Sequence, residues 1–342
     1  MGNAELKRRI KEFALSEGAD LVGIAPVEDY SDYSTEIEER IKETRASQAD
    51  FMIPSGDTTF FESISCALNT MPTAKAIIVI GVYSYDEAAA YRDVDGELRG
   101  KTARTYSYYP VARRVAEELV AFIHDLGYTA IHGQHVPLKY VADRIGLGCY
   151  GKHGILITEK YGSYTGLRNI LIDAPLEPGE FQRMSLCQDC DRCLEACPTG
   201  ALYAPYKVNA RLCLNPITRR GKYIPPDMRP KMQNWISGCD VCQEVCPINQ
   251  HLIPRKPDSR SGFYPKYHSS HKNLGGMEKR PRLLDLLSPD HPDIIRRNAA
   301  IALGNIGRGR TEASKALRDQ MGNVNDELRD YFSWAIEVLS GC

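Results

Sequence analysis

The chain has 342 residues, 43% of them hydrophobic and 25% charged, with a formal net charge of −1. That length holds more than one domain with a proper core, and the composition excludes wholesale disorder, collagen and coiled coil. The longest apolar run, Ala76 to Tyr83, suits a buried strand and falls far short of the roughly 20 residues a membrane helix needs, so no membrane association is expected.

At the N-terminus, Arg8 and Arg9 have the look of a twin-arginine export signal. The residues after them form no apolar run; their apolar positions fall at helical spacing, with a stop at Gly18. An amphipathic helix over 4–17 is therefore expected, in a protein that stays in a reducing cytoplasm. There, dense cysteines mean metal rather than disulfides. A strand over 19–25 comes next, then a polar helix around 35–46, a strand over 76–83 and a helix around 110–126 ended by Gly127. Further strands are expected over 155–158 and 167–172. Such alternation predicts an α/β or α+β layered domain.

From about 180 to 255 the chain is rich in Cys and Pro with weak periodicity. Of its 11 cysteines, eight lie between Cys187 and Cys246. Cys187, Cys190, Cys193 and Cys197-Pro198 have the spacing of a bacterial ferredoxin loop, in which the Cys-Pro residue ligates the other cluster. Cys213, Cys239, Cys242 and Cys246-Pro247 form a less regular second motif. By the same exchange, one [4Fe-4S] cluster takes Cys187, Cys190, Cys193 and Cys246, and the other takes Cys197, Cys213, Cys239 and Cys242. Structural zinc is the competing reading, although zinc pairs lack the third close cysteine and the Cys-Pro ends. Cys66, Cys149 and Cys342 have no partners at ligand spacing and read as core or terminal thiols.

Residues 207–282 carry 15 Lys/Arg against 5 Asp/Glu, whereas the flanking stretches are acidic. A solvated loop face and a polyanion-binding surface both account for this. The stretch interleaves its bases with Tyr223, Trp235, Phe263, Tyr264, Tyr267 and His268, which stack on unpaired bases or pack the helical tail. Beyond about 280, helical spacing returns. Asp293, Arg296, Ala302 and Leu303 are echoed by Asp326, Arg329, Ala335 and Ile336, a period that resembles a short HEAT-type array.

With the segment 142–153 (ADRIGLGCYGKH), Tyr161-Gly162-Ser163, residues 171–176 and both cysteine motifs, the chain resembles the epoxyqueuosine reductase family over nearly its whole length. That family is similar in its core to the reductive dehalogenases. The resemblance implies an α+β fold with three parts: a nitroreductase-like cobalamin-binding domain over 1–179, a ferredoxin-like two-cluster domain over 180–255, and a HEAT-like helical domain over 256–342. It implies cobalamin held base-off near one cluster, reduced from Co(II) to Co(I), and removing the epoxide oxygen of epoxyqueuosine in tRNA. Residues matching the family's cofactor-binding segments are Arg104, Tyr106, Gly146, Leu147, Gly148, Cys149, Tyr150, Gly151 and Lys152. The glycines suit either close approach to a planar ligand or a tight strand-to-strand connection.

Three departures stand out. The family's proton-donating Asp falls, by ungapped counting, on His132, with His135 nearby. A His can donate a proton near pH 7. The family's Trp after G-L-G is Cys149, and its A-R-Y-A segment survives only as Ala103-Arg104 with Tyr106, Tyr108 and Tyr109 beyond. The expected activity is thus a cobalamin- and iron–sulfur-dependent tRNA-modifying reductase, fed by a low-potential donor such as flavodoxin or ferredoxin and acting as a monomer. The alternatives are a cobalamin-dependent reductase of a small molecule and an electron carrier without a substrate of its own.

Overall fold

The structure is a computed structural model and describes residues 2–45, 66–85, 96–133, 136–179, 185–220, 223–254 and 280–341. The first region contains α1 (Asn3–Ser16), β1 (Leu21–Pro26), α2 (Ser31–Arg45), β2 (Ala76–Tyr83) and β3 (Lys101–Thr102). It continues with α3 (Thr105–Asp125), β4 (Ala130–Gly133), α4 (Leu138–Arg144), β5 (Cys149–Tyr150), β6 (Leu156–Ile157) and β7 (Thr165–Ile172). β1, β2, β7 and β4 pair in that order as an antiparallel sheet.

Strand β2 is buried at every position because helices cover both faces of the sheet. Its alternation sends Ile78 and Ile80 towards Leu6, Ile10, Leu119 and Ile123 of α1 and α3. Ile77 and Val79 go instead towards Val141 of α4 and Ile145 just beyond it. Each large aliphatic side chain so buried contributes about 1.5–3 kcal/mol of transfer free energy. The expected amphipathic helix is α1: Leu6, Ile10 and Ala14 face inward, while Arg8 bridges Glu5 and Glu12 on the outer side. Phe13 stacks on Phe122 of α3 with ring centroids 4.1 Å apart.

Helix α3 begins at Thr105, ahead of the expected start near 110, because Pro110 sits inside the helix rather than opening it. The proline's missing amide forfeits one backbone bond there. Tyr106, Tyr108 and Tyr109 consequently occupy the first turns of α3. The described residues include no helix long and apolar enough to cross a membrane.

The cysteine region contributes α5 (Arg192–Glu195), β8 (Leu202–Ala204), β9 (Lys207–Val208), α6 (Leu214–Arg220), β10 (Trp235–Ser237) and α7 (Val241–Glu244). β10 pairs with β3, which ties this region to the segment ahead of α3. After it come α8 (Asp293–Ile306), α9 (Thr311–Asp319) and α10 (Asp326–Ser340). Asp293 and Asp326 open α8 and α10, so the echo in sequence falls on two helix starts. Gly304 lets α10 come close, since a Cβ there would lie 2.7 Å from the Trp334 ring. Asn325 caps α10 by accepting from the Leu328 amide at 2.9 Å.

Helix α8 also holds the second cysteine motif. The buried Asn298 amide donates to the carbonyls of Thr218 at 2.7 Å and Ile236 at 2.8 Å. Thr218 Oγ1 in turn accepts from the Gly238 amide at 2.8 Å, one residue ahead of Cys239. Trp235 packs with Ile301 and Tyr331 and is fully buried, so it is unavailable for base stacking. Tyr223 is exposed, and Phe263, Tyr264, Tyr267 and His268 lie outside the described residues.

Candidate iron–sulfur centre

Two short helices of one turn each, α5 and α7, carry Cys193 and Cys242, while Cys213 stands just ahead of α6. Burial pushes the thiols of Cys193, Cys213, Cys239, Cys242 and Cys246 up, Cys193 to about 11. Neighbouring thiols raise them further, and these neighbours sort the residues. Cys193 feels Cys187 and Cys246, and Cys246 feels Cys187 and Cys190. Cys239 feels Cys213 and Cys197, and Cys242 feels Cys239 and Cys213. Cys242 also feels Cys193, so the two sets adjoin.

The second set lines one cavity of about 340 Å³, together with Tyr150 and His153. Among the described residues no three His, Cys, Asp or Glu side chains are close enough to share a single ion. Mononuclear zinc needs donors about 2.3 Å from one point, whereas a cubane spreads its thiolates over separate irons. Eight soft thiols in two spread sets of four therefore fit two cubanes. Loading them releases the thiol protons, so binding free energy becomes folding free energy for a region with little apolar core.

The segment from Gly146 to His153 runs beside both sets. The buried Cys149 packs against Cys246 and Ile157, with its Sγ accepting from the Leu186 amide at 3.4 Å. The Lys152 amide donates to Cys187 Sγ at 3.4 Å, and its ammonium pairs with Asp191 at 2.8 Å. A Cβ at Gly148 would lie 2.5 Å from the Ile157 carbonyl, so the close approach of the chain ahead of β5 to the end of β6 itself requires this glycine. Leu147 packs under the sheet with Ile145. Of the sequence-named residues, Cys149, Tyr150 and Lys152 thus meet the cluster cysteines, while Leu147 supports the layer behind them.

Arg104 is buried where the segment between β3 and α3 meets the second motif. Its amide donates to Asp240 at 2.8 Å, and its guanidinium reaches Tyr164 at 3.2 Å and Glu244 at 3.1 Å. The same guanidinium lies 5.3 Å from the Tyr85 ring centre. Burial pushes the Asp240 carboxyl up to about 6, and Arg104 pulls against that shift. Gln243 donates to Asp240 at 2.8 Å and accepts from Ser163 at 2.9 Å. Asn249 closes the network by accepting from the Ser163 amide at 2.9 Å and donating to Ser163 Oγ at 2.8 Å. These roles of Asp240, Gln243, Ser163 and Asn249 have no local signal, since partners such as Arg104 and Asp240 stand 136 residues apart.

His132 is half-buried in the edge strand β4, opposite Ile170, on the sheet face packed by α1 and α3. His135 and the side chains of Tyr106, Tyr108 and Tyr109 lie outside the described part.

A layered α+β domain joined to two adjoining sets of four thiols defines an iron–sulfur oxidoreductase. Residues 186–249 match the family model for a 4Fe-4S double cluster binding domain. Epoxyqueuosine reductase of Staphylococcus aureus (strain NCTC 8325 / PS 47) is 31% identical over 268 residues, covering 74% of this chain and 67% of the relative. That of Lactococcus garvieae (strain Lg2) is 30% identical over 362 residues, covering 98% of this chain and 96% of the relative. The chain belongs to the epoxyqueuosine reductase family. A crystal structure of epoxyqueuosine reductase with a tRNA-Tyr epoxyqueuosine-modified tRNA stem loop has the same fold, with a TM-score of 0.76 at 23% identity over 99% of this chain and 100% of that one.

Proposed function

We propose that this protein reduces epoxyqueuosine to queuosine in tRNA, using cobalamin and two [4Fe-4S] clusters. The observation that carries this reading is the junction of the α+β domain with eight cysteines sorted into two adjoining fours, in a chain similar to epoxyqueuosine reductases along nearly all its length. A tRNA stem loop bound to a protein of the same fold supports tRNA as the partner. The local excess of Lys and Arg over 207–282 supplies the charge for it.

Cobalamin fits polar atoms that the protein leaves unanswered. Ser84 Oγ, Thr165 Oγ1 and both amide atoms of Asn169 are buried without a partner among the described residues, at the end of β2 and along β7. A corrinoid, rimmed with amide groups, satisfies atoms of this kind. Arg104, Tyr106 and the stretch from Gly146 to Lys152 shape and support its site, and when bound it supplies the reductive chemistry that removes the epoxide oxygen. The resemblance puts His132 at the proton donor's place, on the sheet face opposite Asn169, and the His132→Ala comparison below decides whether it acts. The helices α8–α10 act as a HEAT-like grip on tRNA. The protein works as a cytoplasmic monomer supplied by flavodoxin or ferredoxin.

The test is anaerobic reconstitution with iron, sulfide and cobalamin, followed by incubation with epoxyqueuosine-bearing tRNA and mass spectrometry of its nucleosides. About eight irons, retained cobalamin and conversion to queuosine support the reading. Eight irons without cobalamin or turnover make the protein an electron carrier, and turnover of a halogenated small molecule instead of tRNA makes it a small-molecule reductase. In the same assay, His132→Ala abolishes turnover while clusters and cobalamin stay bound. Unchanged turnover removes His132 from the mechanism.

A further inference from the structure

His153 stands beside the cavity of Cys197, Cys213, Cys239 and Cys242, and none of the roles above uses it. It is 4% exposed. Its Nδ1 accepts a hydrogen bond from the Ile155 amide at 3.1 Å. A nitrogen that accepts from an N–H carries no proton, so in the neutral ring the proton is on Nε2. Nε2 is buried with no hydrogen-bond partner among the described residues. A buried donor left unsatisfied costs its full desolvation, which a structure avoids unless a bound group answers it.

The surrounding chain fixes the ring in this pose. A Cβ at Gly151 would lie 2.6 Å from His153 Cε1 and 3.0 Å from Nδ1, so only glycine leaves room for the imidazole edge. The Lys139 ammonium donates to the Gly154 carbonyl at 2.6 Å and closes the adjoining turn. Burial, with Lys139 nearby, pulls the ring pKa down to about 4, which keeps a single N–H at neutral pH.

We propose that His153 Nε2–H is a hydrogen-bond donor to a sulfur of the cluster held by Cys197, Cys213, Cys239 and Cys242, and that it sets this cluster's reduction potential. The proposal rests on the two-cluster reading above. A hydrogen bond to cluster sulfur withdraws electron density and favours the reduced, more negative state, which raises the potential. The other cluster receives a backbone donor instead, the Lys152 amide at Cys187 Sγ. Consecutive residues therefore serve the two clusters differently: one donor can be changed by substitution and the other cannot.

The experiment is an electrochemical titration of the reconstituted full-length protein, followed by electron paramagnetic resonance, for wild type, His153→Leu and His153→Asn. In His153→Leu the ratio of reduced to oxidised second cluster at a fixed potential falls about tenfold, equivalent to about 59 mV for a one-electron couple, while the first cluster keeps its midpoint. His153→Asn, which retains an N–H donor, recovers part of the shift. In wild type the reduced second cluster also shows an exchangeable-proton coupling that His153→Leu lacks. Should His153→Leu lose iron, His153→Met, which also lacks an N–H donor, carries the comparison. An unchanged second-cluster midpoint in a donor-free variant holding about eight irons overturns the tuning role. Wild type that binds no second cluster overturns the reading beneath it, and iron analysis alone distinguishes that result.

Discussion

One added carbon at Gly162 tests the join between the first domain and the cysteine motifs. The residue has φ +52°, and a Cβ there would lie 2.0 Å from Asn249 Oδ1. Gly162→Ala therefore both strains the backbone and displaces Asn249 from Ser163, and a loss of about 1–3 kcal/mol is expected. Thermal melting and iron retention after desalting measure it; an unshifted Tm would mean that the Ser163–Asn249 contact holds nothing together. His153 gives a pH effect of definite sign. Its folded pKa of about 4 lies below the ordinary 6.5, so between those values the unfolded chain takes up a proton that the folded chain refuses. Its stabilising effect is complete above pH 6.5 and disappears as pH falls towards 4, by up to about 3 kcal/mol. Urea unfolding of the apoprotein across that range should show the slope, and His153→Gln should flatten it.

At the scale of elements, α8 is a brace rather than an appendage. Asn298→Ala leaves the Thr218 and Ile236 carbonyls without their donor inside the protein. About 1–3 kcal/mol of stability is lost, and occupancy falls first at the cluster that contains Cys239. Iron and sulfide analysis with a melting curve checks this, and wild-type values would remove the brace. The elements also show where sequence is transparent. β2 could be read to the residue, because eight consecutive apolar positions have one economical fate in a layered fold. The amphipathic spacing of α1 was equally plain. β4, with four residues, and the two-residue strands β5 and β6 are too short for any period to emerge. The early start of α3 was hidden by Pro110, whose local preference for a helix opening lost to packing of the whole helix on the sheet.

For the whole molecule, the double-cluster region was legible because covalent spacing dictates which thiols can wrap a cubane, and residues 186–249 match a family model for a 4Fe-4S double cluster binding domain. The fastening of the sheet region to the cysteine region was not legible. Arg104 with Asp240 and Asn298 with Thr218 are encounters between distant parts of the chain, and a single buried polar pair leaves no periodic trace. The electrostatic imbalance belongs to this scale too. With 15 bases against 5 acids over 207–282, tRNA affinity should fall steeply with salt, by a log–log slope of about −0.7 to −0.9 per phosphate neutralised. Replacing Lys256, Lys266 and Lys272 with Gln should weaken binding and flatten that slope together. A fluorescence titration at several salt concentrations decides it, and an unaltered slope would locate the tRNA contact elsewhere.

The crossing of the two cysteine motifs has a consequence for how the protein matures. In the proposed assignment, Cys197 leaves the first motif for the second set, and Cys246 leaves the second motif for the first. Neither loop can close around its own cubane until the other has been drawn into place, and neither can release one without slackening its neighbour. The pair thus forms a cooperative unit resembling a knot tied from two cords. On that assignment a nascent chain is expected to pass from empty to fully loaded with little time between, and a half-filled protein, able to accept an electron but not to pass it on, is the species such an exchange would suppress.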